Sequence, residues 1–334
     1  MEQTSLAHQT LLERLDALAN DSLRYWGLPA GSTARLLNVS ENATYLVELP
    51  DGGRRVLRIH RENYHSERAI ECELAWAHAL RATDFVRTPA AIPGSDGRLV
   101  QTGVSADLPN PRHMVMFEHV PGEQPDESRD LVGPFEELGA MAARLHEHAI
   151  HWQKPAPFER LTWDLDAVYG PQATWGDWRR APHLDAEMQA VLERVEQTVR
   201  TRLERFGQSP QRYGLIHADM RLANLLMDGD RTWLIDFDDC GAGWFLYDFA
   251  AGISFIEDSP AIPAMREAWV RGYRLVRDLP DEEEREIDSF IMLRRMALTA
   301  WIASHINVPE AQALAPDFAR VSAELGEDYL SRMG

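Results

Sequence analysis

Residues 214–239 read GLIHADMRLANLLMDGDRTWLIDFDD, the most informative stretch of the sequence for both fold and site. Within it, two apolar runs at 225–227 and 233–235 flank the turn-forming sequence Asp-Gly-Asp at 228–230. Short apolar runs on either side of such a turn are typical of two paired strands. The stretch therefore predicts a β-hairpin, with polar residues meeting at one edge of a small ribbon.

Three polar residues stand at that edge. Asp219 precedes the first strand, Asn224 begins it, and Asp236 ends the second strand. Asn224 and Asp236 offer hard oxygen ligands, which suit Mg²⁺ that protein and phosphate hold jointly. Asp219, five residues before Asn224, is placed to take a proton from an attacking hydroxyl group. The alternative is that these are turn-forming residues without chemistry, but apolar runs enclose them at each step, which favours a site.

Two further carboxylates, Asp238 and Asp239, follow the second strand. Either could assist a metal or substrate site. The alternative is a local turn or an ion pair, and the sequence leaves both interpretations open.

The chain before this stretch is rich in predicted strands. Residues 34–59 hold β-rich runs separated by a Pro-Asp-Gly-Gly turn at 50–53. A helix is predicted over 66–82, and two more strands at 99–101 and 113–119. A small β-rich region with one helix follows from this pattern.

The pattern changes at Val120-Pro121-Gly122. Beyond this point, apolar residues recur at three- and four-residue intervals in several long segments, which predicts helices. We therefore predict an α+β fold with two lobes. A small β-rich lobe would cover residues 1–119, and a larger, mainly helical lobe would cover residues 120–334.

Composition and charge exclude several classes of protein. The 334 residues are 45% hydrophobic and 26% charged, which is ordinary for a globular protein and excludes a disordered or fibrous one. The net charge of −19 disfavours binding to nucleic acid or to an acidic membrane surface. Residues 123–334 carry −16 of that charge, which favours a cationic or amine-bearing partner.

Nothing in the sequence points to secretion. The first residues, MEQTSLAHQTLLERLD, contain no basic segment followed by an apolar one, so no secretory signal is predicted. No apolar run approaches the roughly 18 residues that span a bilayer. The two cysteines, Cys72 and Cys240, lie far apart and indicate neither a disulfide framework nor a zinc site. We therefore expect a reduced, cytoplasmic protein with neither a membrane nor a nucleic-acid partner.

The motif residues resemble those of a known group of enzymes. His217, Asp219 and Asn224 fill the pattern HxDxxxxN, and Ile-Asp-Phe-Asp follows at 235–238. This pair of motifs, with Asp236 twelve residues after Asn224, resembles the aminoglycoside phosphotransferase/choline kinase superfamily, whose members share the two-lobed fold of protein kinases. The resemblance covers nearly the whole chain. It implies that Asp219 is the catalytic base, that Asn224 and Asp236 hold the metal, and that His217 braces the catalytic loop.

The resemblance also implies how the phosphates of ATP are bound. The turn at 40–44 lies where the superfamily has its phosphate-covering loop, and because it lacks glycines, Ser40 and Asn42 would assist; the alternative is an ordinary β-turn. Arg58 lies where these kinases carry a phosphate-binding lysine, and Lys154 is the only lysine of the chain. A guanidinium group is permanently charged and can bridge two phosphate oxygens, so the replacement is chemically reasonable. The alternative is an exposed strand arginine.

A carboxylate partner for Arg58 should come from the following helix. Both Glu71 and Glu73 are plausible. We choose Glu73, because it lies seven residues before Leu80, which matches the spacing of the superfamily.

Backbone groups are expected to recognise the adenine. The resemblance places adenine against the strand that ends at 116–119, where the backbone carbonyl of Phe117 and the backbone amide of His119 would bond the base.

Asp248 resembles the buried aspartate that anchors the backbone of the catalytic loop in these enzymes.

The sequence defines the acceptor molecule less closely than it defines the nucleotide site. HADMRLAN at 217–224 and a later segment, LRRMALTAWIASH, resemble the bacterial branch with the stress-response serine/threonine kinase, and type II homoserine kinases share this style of motif. The relatives phosphorylate hydroxyl groups, mostly on molecules that also carry an amine. Arg294 and Arg295 could bind a carboxylate of the acceptor or form intramolecular ion pairs. Trp244 and Tyr247 could face a cationic group or be core aromatics.

The sequence thus predicts an ATP- and Mg²⁺-dependent phosphotransferase. It would move the γ-phosphoryl group to a hydroxyl of a small amine-bearing molecule, an amino-alcohol or a hydroxy-amino acid. One alternative is a protein serine/threonine kinase of the stress-response type. Another is a catalytically silent nucleotide-binding regulator, which Arg58 supports and the intact set of Asp219, Asn224 and Asp236 opposes.

Overall fold

The computed structural model describes residues 2–39, 42–83, 86–126, 131–229 and 231–334, with side chains from residue 9 onward. Helices and strands are both present in these residues, so the predicted α+β class is confirmed. The helices are α1 (Glu2–Ser22), α2 (Glu67–Ala82), α3 (Val132–His151), α4 (Leu165–Tyr169), α5 (Ala186–Phe206), α6 (Tyr247–Gly252), α7 (Ile262–Arg274), α8 (Asp281–Glu284), α9 (Ile287–Ser304) and α10 (Pro309–Met333). None of the helices in this described part of the chain is long and apolar enough to cross a membrane.

The strands are short, and most lie in the first half of the chain. They are β1 (Thr33–Val39), β2 (Ala43–Glu48), β3 (Arg54–Ile59), β4 (Ala91–Ile92), β5 (Val100–Gly103), β6 (Arg112–Glu118), β7 (Leu161–Trp163), β8 (Tyr213–Ile216), β9 (Leu225–Asp228), β10 (Arg231–Leu234) and β11 (Gly241–Trp244). Strands β9 and β10 pair with each other, so the hairpin predicted from residues 225–235 is confirmed.

Contacts between Cα atoms divide the chain into two compact units. The first unit comprises Met1–Gly122, Lys154–Glu159 and Leu226–Asp238, and the second comprises Glu123–Gln153, Arg160–Leu225 and Asp239–Gly334. The chain therefore returns to the first unit twice. The lobe boundary between residues 119 and 120 stays a prediction.

An antiparallel sheet forms the first unit. Its strand order is β1-β2-β3-β6-β4, and β5 also pairs with β6. On β3, Arg58 lies opposite Thr44 of β2 and Val115 of β6. Because side chains alternate along a strand, the neighbours Leu57 and Ile59 enter the apolar core while Arg58 points to the other face.

Helices cover both faces of this sheet. Helix α1 packs on one face through buried apolar side chains that include Leu15 and Leu18. Helix α2 lies on the other, and its first turn is capped by the Ser66 hydroxyl, which accepts a hydrogen bond from the backbone N–H of Ala69 at 3.0 Å. The inner side of α2 joins a second apolar group, Ile70, Leu74, Val100 and Val115. The helix predicted over 66–82 is confirmed.

The second unit is mainly helical, and α3 and α7 pack at very close range. A Cβ atom added at Gly139 would lie 2.0 Å from the backbone oxygen of Trp269, and one added at Gly272 would lie 1.8 Å from that of Glu136. Only glycine permits this approach of two helix backbones. Helix α3 also contacts β8, the strand that leads into the loop of residues 217–224.

A small sheet with the order β7-β11-β8 carries that loop. Strand β11 runs antiparallel to β8 and parallel to β7. The sequence analysis did not predict β7 or β11, because each has only three or four residues and β11 reads Gly-Ala-Gly-Trp. Gly241 is required there, since an added Cβ would lie 2.3 Å from the backbone oxygen of Leu161.

Candidate active site

The catalytic loop of the second unit begins where β8 ends at Ile216 and leads to a single 3₁₀ turn at Leu222–Asn224. The structure brings Asp219 and Asn224 together at this loop. The Asn224 side-chain amide donates to the Asp219 backbone oxygen at 2.7 Å and to its carboxylate Oδ2 at 2.8 Å. The two donors of Asn224 face Asp219, so its amide oxygen is the atom that can meet a metal.

A buried carboxylate holds the backbone of this loop. Ala218 has a φ of 65°, which is unfavourable for a residue with a Cβ. Its backbone N–H donates to Asp248 Oδ1 at 2.7 Å, and that of His217 donates to Asp248 Oδ2 at 3.3 Å. His217 Nδ1 accepts from the backbone N–H of Asp219 at 3.3 Å. Asp248 and His217 thus contact the loop backbone in the way the sequence predicted.

A chain of hydrogen bonds orients Asp248. His146 Nε2 lies 2.8 Å from Asp248 Oδ2, and its Nδ1 lies 3.0 Å from the Tyr273 hydroxyl. Burial lowers the pKa of His146, although the bond to Asp248 opposes this shift. The neutral ring therefore donates to Asp248 through Nε2 and accepts from Tyr273, whose oxygen in turn accepts from Arg277 at 3.0 Å. The sequence analysis missed His146, because no local pattern links it to Asp248.

Two arginines flank the Asp219 carboxylate. Arg221 Nε lies 3.1 Å and an Arg294 terminal nitrogen 3.3 Å from Asp219 Oδ1. Burial disfavours the charged form of Asp219, yet Arg221, Arg294, His217 and the hydrogen bond from Asn224 together lower its pKa overall. The sequence analysis did not single out Arg221, although a cation two residues after the predicted base was a visible signal.

The other residues predicted for the acceptor pocket make contacts within the protein. Arg295 makes a buried ion pair with Glu257 at 2.7 Å, which is the intramolecular alternative. Trp244 is buried and donates to the backbone oxygen of Gly207 at 2.7 Å, as a core aromatic would. The ring of Tyr247 lies 5.8 Å from the guanidinium of Arg294, so the cation at this ring belongs to the protein itself.

In the first unit, the structure brings Arg58 and Glu73 together. An Arg58 terminal nitrogen donates to Glu73 Oε1 at 2.6 Å, and the other lies 3.5 Å from Asp236 Oδ1. Burial would lower the pKa of Arg58, but the carboxylates of Glu73, Asp238 and Asp236 raise it overall. Glu71 instead pairs with Arg68 on the outer side of the helix at 3.0 Å. Arg58 is therefore a buried, paired cation and not an exposed strand arginine.

The segment after β10 holds two unlike carboxylates. Asp236 has a φ of 59°, and its side chain is 47% exposed. Asp238 is buried, with Oδ1 3.4 Å from His60 Nδ1 and Oδ2 3.6 Å from His65 Nε2. Burial would raise the pKa of Asp238, but His60, His65 and Arg58 lower it well below its usual value. Asp238 thus belongs to a buried ionic cluster, and Asp236 presents its carboxylate outward.

The carboxylate of Asp236 is suited to serve as an oxygen ligand of a hard cation. Within the described residues, no three His, Cys, Asp or Glu side chains converge to hold a metal ion. A cation that keeps several waters and takes further ligands from phosphate needs only one or two protein oxygens, as Mg²⁺ does. The donor set therefore suits Mg²⁺ more than a metal that needs a complete protein cage.

A cavity of about 330 Å³ lies beside Arg58 in the first unit. Its walls include Thr44, Val56, Arg58, Phe117, His119 and Asp236. The walls combine apolar side chains with charged ones, and the Arg58 guanidinium lies 5.2 Å from the Phe117 ring. His119 follows the last residue of β6, where the ladder of the sheet ends. The space can take a flat ring system with a charged tail.

Of the two residues predicted to cover the phosphates, the structure describes one. Ser40 lies outside the described residues. Asn42 is buried, and its side-chain oxygen accepts a hydrogen bond from the backbone N–H of Arg61 at 2.9 Å. Asn42 therefore braces the chain after β3, and its role toward phosphate stays a prediction.

These features define the class of the protein: a phosphotransferase with a protein-kinase-like fold. Residues 33–286 match the family model described as the phosphotransferase enzyme family, APH. The chain belongs to this family.

Comparisons with individual proteins agree with the family. The chain is 43% identical to a microcompartment-associated aminopropanol kinase of known structure, with a TM-score of 0.88 over 95% of this chain and 98% of the other. It is 23% identical to amicoumacin kinase of Bacillus subtilis (strain 168) over 79% of this chain and 78% of that protein. An amicoumacin kinase solved with AMP-PNP, Ca²⁺ and its ligand has the same fold, with a TM-score of 0.75, 19% identity and coverage of 95% and 96%.

The comparisons confirm the predicted superfamily, the protein-kinase-like fold, and a kinase that acts on a hydroxyl group of a small molecule. The roles of the individual site residues stay predictions.

Proposed function

We propose that this protein transfers the γ-phosphoryl group of ATP to the hydroxyl of a small amino-alcohol, in a Mg²⁺-dependent reaction. The observation that carries the proposal is the 43% identity to an aminopropanol kinase over 95% of the chain. The net charge of −16 over residues 123–334 also favours an acceptor with a protonated amine.

Asp219 acts as the base in this proposal. Its carboxylate orients the acceptor hydroxyl and takes the proton as the oxygen attacks the γ-phosphorus. The bond from the γ-phosphorus to the bridging oxygen of ADP breaks in the same displacement. Asn224 fixes Asp219 through two hydrogen bonds of 2.7 and 2.8 Å, so the carboxylate is held before the acceptor arrives.

Arg58 holds the ATP phosphates, and Glu73 fixes the direction of its guanidinium group. The adenine occupies the cavity of about 330 Å³, where the backbone carbonyl of Phe117 and the backbone N–H of His119 bond the base. The phosphate-covering turn of this proposal is the one predicted from the sequence, with Ser40 and Asn42. The nucleotide analogue in the structure of an amicoumacin kinase supports the assignment of ATP.

Asn224 and Asp236 would hold Mg²⁺, with an amide and a carboxylate oxygen as ligands, and the ion would supply positive charge for the phosphoryl oxygens. The twelve-residue spacing of the two motifs supports the pairing of these ligands. Ca²⁺ in the structure of an amicoumacin kinase supports a divalent cation in this role.

The two alternatives are less favoured. The named relatives act on small molecules, aminopropanol and amicoumacin, so nothing among them supports a protein substrate. A silent regulator would not need the catalytic loop that Asp248 and Asn224 hold in place.

The test is ADP release from ATP and Mg²⁺ with 1-amino-2-propanol as acceptor. Propane-1,2-diol and 2-propanol serve as acceptors without the amine, and serine, homoserine and a generic protein cover the other substrate classes. We expect turnover with the amino-alcohol, loss of turnover in Asp219→Asn, and normal turnover in Asp185→Asn, whose residue only caps α5. Turnover that persists in Asp219→Asn contradicts the mechanism, and transfer to protein alone contradicts the small-molecule acceptor.

A further inference from the structure

A second cavity of the first unit lies next to the one proposed for the nucleotide. Its volume is about 930 Å³, and its walls come from α2 and from residues 89–91 and 98–100, around β4 and β5. Leu74, Val100 and Phe117 make these walls apolar and belong to the apolar group between α2 and the sheet. Leu99, which also lines the cavity, is 36% exposed. Apolar walls and this volume are typical of a site for a small molecule.

The charged side chains of this cavity are mostly cationic. Arg68, Arg81 and Arg98 line it, and among the described residues that do so Glu71 is the one carboxylate. The chain as a whole has a net charge of −19, so this part of the first unit differs from the rest in sign. Positive charge beside apolar walls attracts an anion that also has apolar surface. The cavity therefore suits an organic anion and does not suit a protonated amine.

Arg98 is the arginine best placed to meet such an anion. Its side chain is 56% exposed, and one terminal nitrogen pairs with Glu67. A guanidinium group has five N–H donors, so a single carboxylate partner leaves donors for a second anion. Arg68 and Arg81 each bond a backbone oxygen as well as a carboxylate, which holds them in place more firmly.

The two cavities of the first unit share part of their walls. Three residues line both of them: Ala77, Pro89 and Phe117. The Phe117 ring lies 5.2 Å from the Arg58 guanidinium group, and Glu73, which precedes Leu74 on α2, pairs with Arg58 at 2.6 Å. A molecule in the second cavity would restrict the ring and the helix that contact Arg58. Restriction before the nucleotide arrives lowers the entropic cost of nucleotide binding.

We propose that this cavity is a regulatory site for an organic anion with an apolar body, and that its occupation strengthens nucleotide binding. The apolar body contacts Leu74, Leu99 and Val100, and the anionic group meets Arg98. The site stands without the proposed phosphotransferase function, whereas its effect on the nucleotide rests on that function. By thermodynamic linkage, the nucleotide strengthens the binding of the anion by the same factor.

The test uses two fluorescent probes with the full chain. 1-Anilinonaphthalene-8-sulfonate has an apolar ring system and one negative charge, and N-phenyl-1-naphthylamine has the same rings without the charge. We expect saturable binding of both to the wild type. In Arg98→Gln, the affinity for the sulfonate should fall by about fivefold and that for the neutral probe by less than about twofold, because only the sulfonate loses a charged partner. Equal effects on the two probes would contradict the anionic ligand.

A second variant locates the probes without removing a charge. Ala75 lines the cavity on α2 and is half-buried, so the larger side chain of Ala75→Leu occupies part of the space. We expect both probes to bind at least about tenfold more weakly to this variant. Ala17→Leu, exposed on α1 of the same unit, is the control for added bulk, and Arg54→Gln, exposed on β3, is the control for lost charge.

Urea unfolding shows whether each variant is folded. Both control variants should bind the probes as the wild type does. Probe binding that Arg98→Gln and Ala75→Leu retain in full places the probes elsewhere and overturns the proposal. A wild type that binds neither probe overturns it as well.

Calorimetry then measures the link between the two cavities. ADP with Mg²⁺ is titrated with and without saturating sulfonate probe, and we expect the probe to raise ADP affinity by about fivefold. An ADP complex that expels the probe shows that the probe occupies the nucleotide cavity, and the proposal is then wrong. Unchanged ADP affinity contradicts the regulatory role. A wild type that binds the probe but no ADP contradicts the proposed function, and the anion site then stands on the variant titrations.

Discussion

Asp248 accepts a hydrogen bond of 2.7 Å from the backbone N–H of Ala218, thirty residues earlier in the chain. Ala218 has a φ of 65°, a conformation that costs a residue with a Cβ roughly 1 kcal/mol or more. A fully buried, charged acceptor offsets this cost, because a hydrogen bond to a charged group contributes about 1.5–3 kcal/mol. The position of Asp219, the next residue, therefore depends on a side chain that touches no substrate.

The first prediction concerns Asp248→Asn. The asparagine can accept from only one of the two loop N–H groups, and its amide donors face the other. We expect the free energy of unfolding to fall by about 1.5–3 kcal/mol and kcat to fall by about 100-fold, because the catalytic carboxylate is misplaced. Urea unfolding and steady-state kinetics measure the two effects. Asp185→Asn, at an exposed helix cap where asparagine serves equally, should change neither.

The second prediction concerns pH and His146. Burial lowers the pKa of His146 in the folded protein, whereas the unfolded chain has the ordinary value of about 6.5. As the pH falls through about 6.5, the unfolded chain therefore binds a proton that the folded protein does not, and stability is lost. We expect the urea midpoint to fall between pH 7.5 and 5.5.

His146→Gln should weaken this pH dependence while lowering stability at pH 7.5. The buried His60, whose pKa is also lowered by burial and by Arg58, keeps part of the slope. His151→Gln, at an exposed helix position, controls for the substitution itself. An unchanged slope in His146→Gln would show that His146 binds protons equally in the folded and unfolded states, and would contradict the lowered pKa.

The third prediction concerns Arg58→Lys, which restores the residue usual in this superfamily. A lysine ammonium is a compact point charge and cannot bond Glu73 and phosphate in the fixed fork of a guanidinium group. We expect the KM for ATP to rise by about tenfold, with a smaller change in the KM of the acceptor. The exposed Arg54 on the same strand gives the control Arg54→Lys, with no change in either KM. A lower KM for ATP in Arg58→Lys would mean that the surroundings of this position suit lysine better.

The fourth prediction tests the close approach of α3 and α7. In Gly272→Ala, the new Cβ would lie 1.8 Å from the backbone oxygen of Glu136, so the two helices must separate. We expect a loss of about 3 kcal/mol or more in the free energy of unfolding. Gly133→Ala, on α3 but with nothing within 4 Å of the new Cβ, should be neutral or slightly stabilising. Chemical unfolding of both variants makes the comparison, and equal effects would contradict the packing argument.

Periodicity in the sequence predicted much of the first unit. Ile70 and Leu74 lie on one side of α2 at helical spacing, and the alternation around Arg58 separates its side chain from Leu57 and Ile59. The hairpin of β9 and β10 followed from its turn and its apolar runs. Each of these patterns involves residues close together in the chain, so it can be recognised from the sequence alone. The short strands β7 and β11 have no such signal, because they are stabilised by pairing with strands distant in sequence, β7 with β11 and β11 with β8.

The choice of partners required the tertiary structure. Glu71 and Glu73 are both plausible partners of Arg58 in sequence, and the rotation of α2 on the sheet selects Glu73. Arg294 and Arg295 are adjacent, yet one reaches Asp219 and the other Glu257, because neighbouring residues of a helix point in directions about 100° apart.

The amino-acid sequence alone contains the residues proposed for phosphoryl transfer, in their order along the chain: Asp219, Asn224 and Asp236, with a cation in β3 and an acidic second half. Which side chains surround and hold them is a property of the tertiary structure. His146, Tyr273 and Arg277 support Asp248, and Arg221 and Arg294 flank Asp219. The physical reason is that hydrogen bonds and ion pairs depend on distances of about 3 Å, and packing sets those distances between residues that are far apart in the chain.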